Sequence, residues 1–170
     1  AKFKEEAYNK YKELQIAWMN FDYETMRNLV TDEMYNMYKA QLETLELKGQ
    51  QNVMKDFELV KVGVNDIKEE TGNYIVTATL EVKMKDYVID RSNNKVLRGD
   101  SKKKIDITYQ MTYIKSSTSA ALDKCPSCGA KLDSKVASKT CPYCDSVITS
   151  DSTEYIISKK TQIKQTKWFN

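Results

Sequence analysis

Four cysteines form the one clear metal-ligating pattern in the sequence. They stand as Cys125-Pro126-Ser127-Cys128-Gly129 and Cys141-Pro142-Tyr143-Cys144. A CxxC pair puts two thiols on one tight turn, so both reach a single ion. Two such turns complete a tetrahedral set with Zn–S near ~2.3 Å. Proline after the first cysteine presets the turn, and Gly129 can supply the positive φ that lets backbone N–H groups face the sulfurs. Four thiolates leave the site negative, and Lys124, Lys131, Lys135 and Lys139 lie close in sequence to offset that charge. A full ligand set leaves no open position, so the expected ion is one structural Zn2+ on Cys125, Cys128, Cys141 and Cys144. A module of about 30 residues cannot build a sufficient core, so metal binding is expected to supply most of its folding free energy. Two other readings remain open: two disulfides in a secreted domain, or redox chemistry at one CxxC, which would need no matched twin. Reduced ligand thiols favour a reducing compartment, hence a cytoplasmic setting.

The rest of the sequence offers little further chemistry. There is no histidine, which removes histidine-based triads, HExxH metalloproteases and any histidine general base. No glycine-rich phosphate loop, nucleophile elbow or P-loop is present. Asp86, Asp90 and the many tyrosines are acid–base candidates in a pocket, but nothing in their spacing demands it, and salt-bridged or exposed roles are the default. Two basic clusters stand out: Arg98 with Lys102-Lys103-Lys104, and Lys159-Lys160 with Lys164 and Lys167. A zinc ribbon beside such clusters suggests nucleic acid. The stronger reading makes them solvated strand faces, because Asp86, Asp90, Asp100 and Asp106 sit among the lysines and dilute any phosphate-binding surface. The net charge of only +3 agrees, so nucleic acid is the weaker expectation.

The elements that must position these residues can be read from periodicity. Phe3, Ala7, Tyr11, Leu14, Trp18 and Phe21 form one helical stripe. Asn20 and Asp22 mark a break, with Asp22 capping a short second helix through Val30. Thr31 caps a third helix, with Asp32 and Glu33 at its positive end, Met34, Tyr38, Gln41 or Leu42, and Leu45 buried, and Gly49 as its stop. These aromatic and Met stripes read as core. The period then changes to two. Residues 57–64 predict a strand with Val60, Val62 and Val64 on one face. Tyr74, Val76, Ala78, Leu80, Val82 and Met84 alternate with more polar residues, which predicts an antiparallel strand buried on one side. Tyr87–Asp90 and Lys95–Arg98 flank a Ser92-Asn93-Asn94 turn. Ile105 to Tyr113 alternates again. Ser116–Ala121 reads as a linker, and Glu154–Gln165 returns to strand character, with Tyr155, Ile157 and Ile163.

The expected organisation is an α+β domain over residues 1–117 plus 151–170, interrupted by a zinc-ribbon insertion at 118–150. No apolar run approaches the ~20 residues of a membrane span, and there is no signal-peptide pattern. The start at Ala1, without an initiator Met, reads as a mature or partial chain whose upstream anchor has been removed.

Some stretches resemble a known family. Gln15-Ile16-Ala17-Trp18-Met19-Asn20-Phe21-Asp22, Met26-Arg27-Asn28-Leu29-Val30-Thr31-Asp32-Glu33-Met34-Tyr35 and Gln41-Leu42 are similar to the opening helices of the Tim44-like domain. Asp86-Tyr87-Val88-Ile89-Asp90 and Arg98-Gly99 resemble the strand region of bacterial members that carry a CPxCG…CPxC ribbon. The family includes the C-terminal domain of the mitochondrial inner-membrane import-motor tether, which lacks the ribbon, so that role does not transfer directly. The resemblance implies a nuclear-transport-factor-two-like cone: helices on a strongly curved antiparallel sheet around an apolar pocket. It further implies membrane association and a non-enzymatic tethering or protein-transport role. The partner would be a protein, lipid or peptide, and a missing upstream segment would attach the chain to the membrane.

Overall fold

The computed structural model describes residues 2–116, 125, 128–131, 141–145 and 154–167. Three helices precede a five-stranded antiparallel sheet: α1 Lys2–Met19, α2 Tyr23–Leu29, α3 Asp32–Leu47, β1 Gln50–Glu70, β2 Asn73–Asp90, β3 Val96–Gly99, β4 Ile105–Ser116 and β5 Ile156–Lys167. The strand order is β1-β2-β4-β5, with β3 pairing β2. This is the α+β layout expected, three helices followed by an antiparallel sheet.

The helix boundaries fall where the capping residues put them. Asp22 Oδ1 accepts from the Thr25 backbone N–H at 3.1 Å and starts α2. Thr31 Oγ1 accepts from Met34 N–H at 3.4 Å and starts α3. Each satisfies a donor that the first helical turn would leave open. Gly49, at φ 66°, turns the chain out of α3 into β1. No described helix is long and apolar enough to cross a membrane.

The core lies between α1 and the concave side of the sheet. Ala7, Tyr11 and Leu14 of α1 are fully buried, together with Ala78, Leu80, Val82 and Met84 of β2 and Met111 and Tyr113 of β4. Phe3, Trp18 and Phe21, at the ends of the predicted stripe, are only partly buried. Met34, Tyr38 and Leu42 carry α3, and Leu45 packs at its margin. Tyr113 Oη donates to the Ala7 carbonyl at 2.8 Å, tying α1 directly to β4. The α2–α3 junction closes over β5, where Thr31 N–H donates to the Ile157 carbonyl at 3.0 Å.

Four expectations need correction. The 57–64 strand is the middle of a much longer β1, and its three valines do not share a buried face: Val62 is buried while Val60 and Val64 are exposed. The register shifts between Leu59 and Lys61, so Val60 falls in a bulge, and among the described residues β1 is an edge strand of the sheet. Tyr87–Asp90 is not a separate strand but the far end of β2, paired there with both β1 and β3. Tyr74, at the hairpin end of β2, is exposed. Ser116, expected to open a linker, is the last residue of β4, paired with Asn73; the rest of that linker, 117–121, and most of the 118–150 insertion lie outside the described residues.

Tyr113→Phe removes the buried bond to the Ala7 carbonyl, which keeps its helical bond within α1, so it should lower unfolding free energy by about 0.5–1.5 kcal/mol. The urea midpoint checks this, and an unchanged midpoint would refute it.

Candidate functional site

The two cysteine turns have the same local build. Gly129 N–H donates to the Cys125 carbonyl and Asp145 N–H to the Cys141 carbonyl, both at 2.9 Å. The residue after each second cysteine sits in the left-handed region, Gly129 at φ 74° and Asp145 at φ 59°. Gly129 therefore does what its type predicts. Asp145 does the same without being glycine, which short polar side chains tolerate better than most. Within the second turn Tyr143 N–H points at Cys141 Sγ, 3.4 Å away. The first cysteine of each turn is buried and the second exposed.

The turns face each other. Cys125 Sγ lies 3.7 Å from Cys144 Sγ, and Cys128 Sγ lies 3.9 Å from Cys141 Sγ. All four sulfurs fall within 4.8 Å of one another. A tetrahedron with ~2.3 Å metal–sulfur bonds has edges of about 3.8 Å, so the described thiols fit a single tetrahedral ion. No disulfide joins any of the four cysteines in the structure. The Ala130 N–H lowers the Cys128 thiol, but desolvation and the three neighbouring cysteines outweigh it and push the group up to about 11. Four thiols this close resist joint ionisation unless a cation sits among them. This cluster can bind a metal ion. Of the four lysines expected to offset it, Lys131 is described and exposed, while Lys124, Lys135 and Lys139 lie outside the described residues.

A second site was not predicted. β2 pairs with β4 up to Met84↔Ile105, and with β3 from Tyr87↔Gly99. Between these pairings the sheet splits, and Asp86 stands at the split. Gly99 sits at φ 81°, and a Cβ there would come within 2.5 Å of the Asp86 carbonyl oxygen, so only glycine lets β3 lie this close to β2. The split opens a cleft of about 580 Å³ lined by Asn52, Asp86, Arg98, Lys103 and Lys104 among others. Asn52 and Asp86 also line an inner cavity of about 240 Å³ between helices and sheet.

The walls of that inner cavity mix apolar and polar side chains. Trp18, Tyr38, Met54 and Tyr109 share its wall with Gln15, Gln41, Asn52, Asp86, Lys160 and Gln162. Trp18 Nε1 donates to Asn52 Oδ1 at 3.1 Å, and Asn52 Nδ2 donates to Asp86 Oδ1 at 2.7 Å. Lys160 Nζ donates to Gln15 Oε1 at 3.1 Å and lies 5.0 Å from the Tyr109 ring centroid and 5.7 Å from that of Tyr38. Burial pushes Lys160 down to about 8, opposed by the Asp86 charge. Burial also pushes Tyr109 up to about 12, keeping its hydroxyl neutral.

Lys160 was expected on a solvated strand face. A bulge overrides that reading. Tyr113 pairs with Ile157 and Thr112 with Lys159, so one step on β4 takes two on β5. The extra residue, Ser158, reverses the alternation. Lys160 then pairs with inward Met111 and Gln162 with inward Tyr109, while Ile163 is turned out and exposed. Lys159 and Lys164 are exposed, as expected. The sequence did hold one clue: Gln15 follows Tyr11 by four residues, so a polar group had to lie on the buried side of α1. Asp90, the other acidic candidate, is a turn residue that accepts from Ser92 N–H at 2.9 Å. Asp100 likewise accepts from Lys102 N–H at 2.7 Å.

A sequence model of the Tim44-like domain matches residues 1–122, from α1 through β4. No curated protein matches the chain. Among solved structures, the intermembrane space region of the chloroplast protein ARC6 aligns with a TM-score of 0.48 at 14% identity, covering 94% of this chain and 95% of that one.

The Lys160 shift has a stability consequence whose sign can be worked out. The folded-state value of about 8 lies below the ordinary 10.5, so the folded state disfavours the proton. The resulting cost is full below about pH 8 and is relieved as pH rises toward the unfolded value. Lys160→Met should therefore stabilise the domain at pH 7, by up to about 3 kcal/mol. Its advantage over the parent should shrink between pH 8 and 10. Urea midpoints of both proteins across that range check this, and a pH-independent difference would overturn it.

Proposed function

We propose that this chain, which belongs to the Tim44-like domain family, is a non-enzymatic tethering or protein-transport-like scaffold that works at a membrane, with one structural zinc in its cysteine module. The observation that supports the zinc most is the convergence of four Sγ atoms within 4.8 Å. Cys125, Cys128, Cys141 and Cys144 would hold the ion, and four thiolates would complete its coordination and leave no position for a substrate. Bound zinc would supply cross-linking energy and nothing catalytic. Among the described residues, the buried cluster of this module is Cys125 and Cys141 alone, and a segment of about 30 residues is short for an apolar core of its own. The module then serves as a rigid partner-contact surface carried by the α+β domain, and the partner is a protein, lipid or peptide at the cytoplasmic side of the membrane.

A second reading, an enzyme using the inner cavity, is favoured by Lys160, a titratable group with a shifted pKa inside that cavity. Against it, among the described residues the Lys160 amine bonds only the Gln15 amide oxygen. Among the described residues no carboxylate stands within hydrogen-bond reach to move its proton.

Metal analysis of purified protein should give about one zinc per chain, as the ligand set implies. Cys141→Ser should release it, and zinc binding should weaken as pH falls because the thiols must lose protons. In cells, the parent should fractionate with membranes and cross-link to a partner that Cys141→Ser loses while the urea midpoint of the α+β domain stays unchanged. Metal-free, disulfide-linked protein would refute the zinc. An unaltered cross-linking pattern would refute the contact role of the module.

A further inference from the structure

Lys160 carries its charge into the inner cavity with an incomplete set of partners. The Gln15 amide oxygen takes one of its protons, and the Tyr109 and Tyr38 rings offer their faces. Among the described residues no carboxylate lies within 4.0 Å of its Nζ. Lys160 is only partly exposed, and an ammonium short of water is stabilised by a counter-ion or further acceptors. Asp86 lines the same cavity and is near enough for its charge to act on Lys160. Among the described residues its carboxylate accepts one side-chain hydrogen bond, at Oδ1 from Asn52. Asn52 is itself fixed by Trp18. The cavity thus offers an anion-seeking ammonium and a donor-seeking carboxylate, both held by neighbours that do not move easily.

We propose that this cavity binds a small organic carboxylate bearing a hydroxyl or ammonium group on the adjacent carbon, with the ligand carboxylate on Lys160 and the adjacent donor on Asp86. The volume of about 240 Å³ lies below the range of roughly 300–1,000 Å³ that drug-sized ligands occupy, so the ligand is small. The Trp18, Tyr38, Met54 and Tyr109 walls accept a short apolar side chain. A singly charged carboxylate suits the site better than a phosphate, because Asp86 repels a doubly charged ligand more strongly. Arg98, Lys103 and Lys104 line the outer cleft, which shares Asn52 and Asp86 with the inner cavity. They raise the local concentration of anions at its mouth. This site is separate from the cysteine module, and the proposal stands or falls independently of the tethering role.

The test is calorimetric titration of the full chain with a panel of L-amino acids and 2-hydroxy acids, each hit compared with the plain carboxylate of the same skeleton. Saturable binding is expected for at least one member, with the plain carboxylate at least about tenfold weaker, the worth of one good polar contact. Lys160→Met should weaken every hit by at least about tenfold. It should keep its fold, which its urea midpoint verifies. Asp86→Asn should bring each hit down toward its plain counterpart. Two results overturn the proposal: no saturation by any member up to roughly 10 mM, tenfold above a millimolar Kd, or binding that survives unchanged in Lys160→Met.

Discussion

The packing of α1 into the concave side of the sheet is the contact on which the other features rest. Ala7, Tyr11 and Leu14 lie at helical spacing on one face of α1, and each is fully buried. Val82, Leu80 and Ala78 of β2 and Met111 and Tyr113 of β4 meet them from the other side. Burying a side chain of this size is worth about 1.5–3 kcal/mol, so this layer outweighs any single hydrogen bond in the domain. It also fixes where the helices leave the sheet uncovered. The inner cavity opens there, between the C-terminal half of α1, with Gln15 and Trp18, and the far ends of β2 and β5.

Polar groups at that opening are held by the same packing. Gln15 is almost fully buried because it shares a face with Tyr11, and its amide bridges the Tyr11 hydroxyl and Lys160. Trp18 stacks edge-on against Tyr38 at 5.1 Å and uses its indole N–H to set Asn52, which in turn sets Asp86. A chain of fixed donors and acceptors reaches from α1 to the split in the sheet. Preorganisation of this kind lowers the entropic cost of binding a small ligand.

The cysteine module depends on different physics. The α+β domain folds on buried apolar area, whereas the described part of the module buries only two cysteines. An apparent binding free energy of about 10–16 kcal/mol for a structural zinc far exceeds what two small side chains give. The cysteine turns lie in the connection between β4 and β5, adjacent strands of one sheet. The Lys10–Glu154 ion pair at 2.6 Å and the Phe3–Tyr155 edge contact at 5.1 Å clamp the chain to α1 where it returns from that insertion. An exposed pair of this kind adds little energy, but together with the ring contact it fixes where β5 begins.

Local patterns in the sequence determined the helices, their caps, the alternating faces of β2 and β4, and the cysteine turns, because each is set by neighbours within a few residues. Thr31, Asp22, Gly49 and Gly129 act as their chemistry requires whatever surrounds them. The convergence of the two turns on one set of sulfurs was implied by their matched spacing, and the folded chain gave it distances. Tertiary structure alone decided which side of β5 faces inward. One extra residue, Ser158, reverses the alternation, so Lys160 enters the cavity and Ile163 leaves it. Bulges arise from pairing with the neighbouring strand, in this case β4, which lies far away in sequence. The split at Asp86 has the same origin, since it exists only where β2 exchanges β4 for β3. Part of the cavity's polar lining has that origin too, since Lys160 and Gln162 enter it through their register with β4, and register is a property of paired strands.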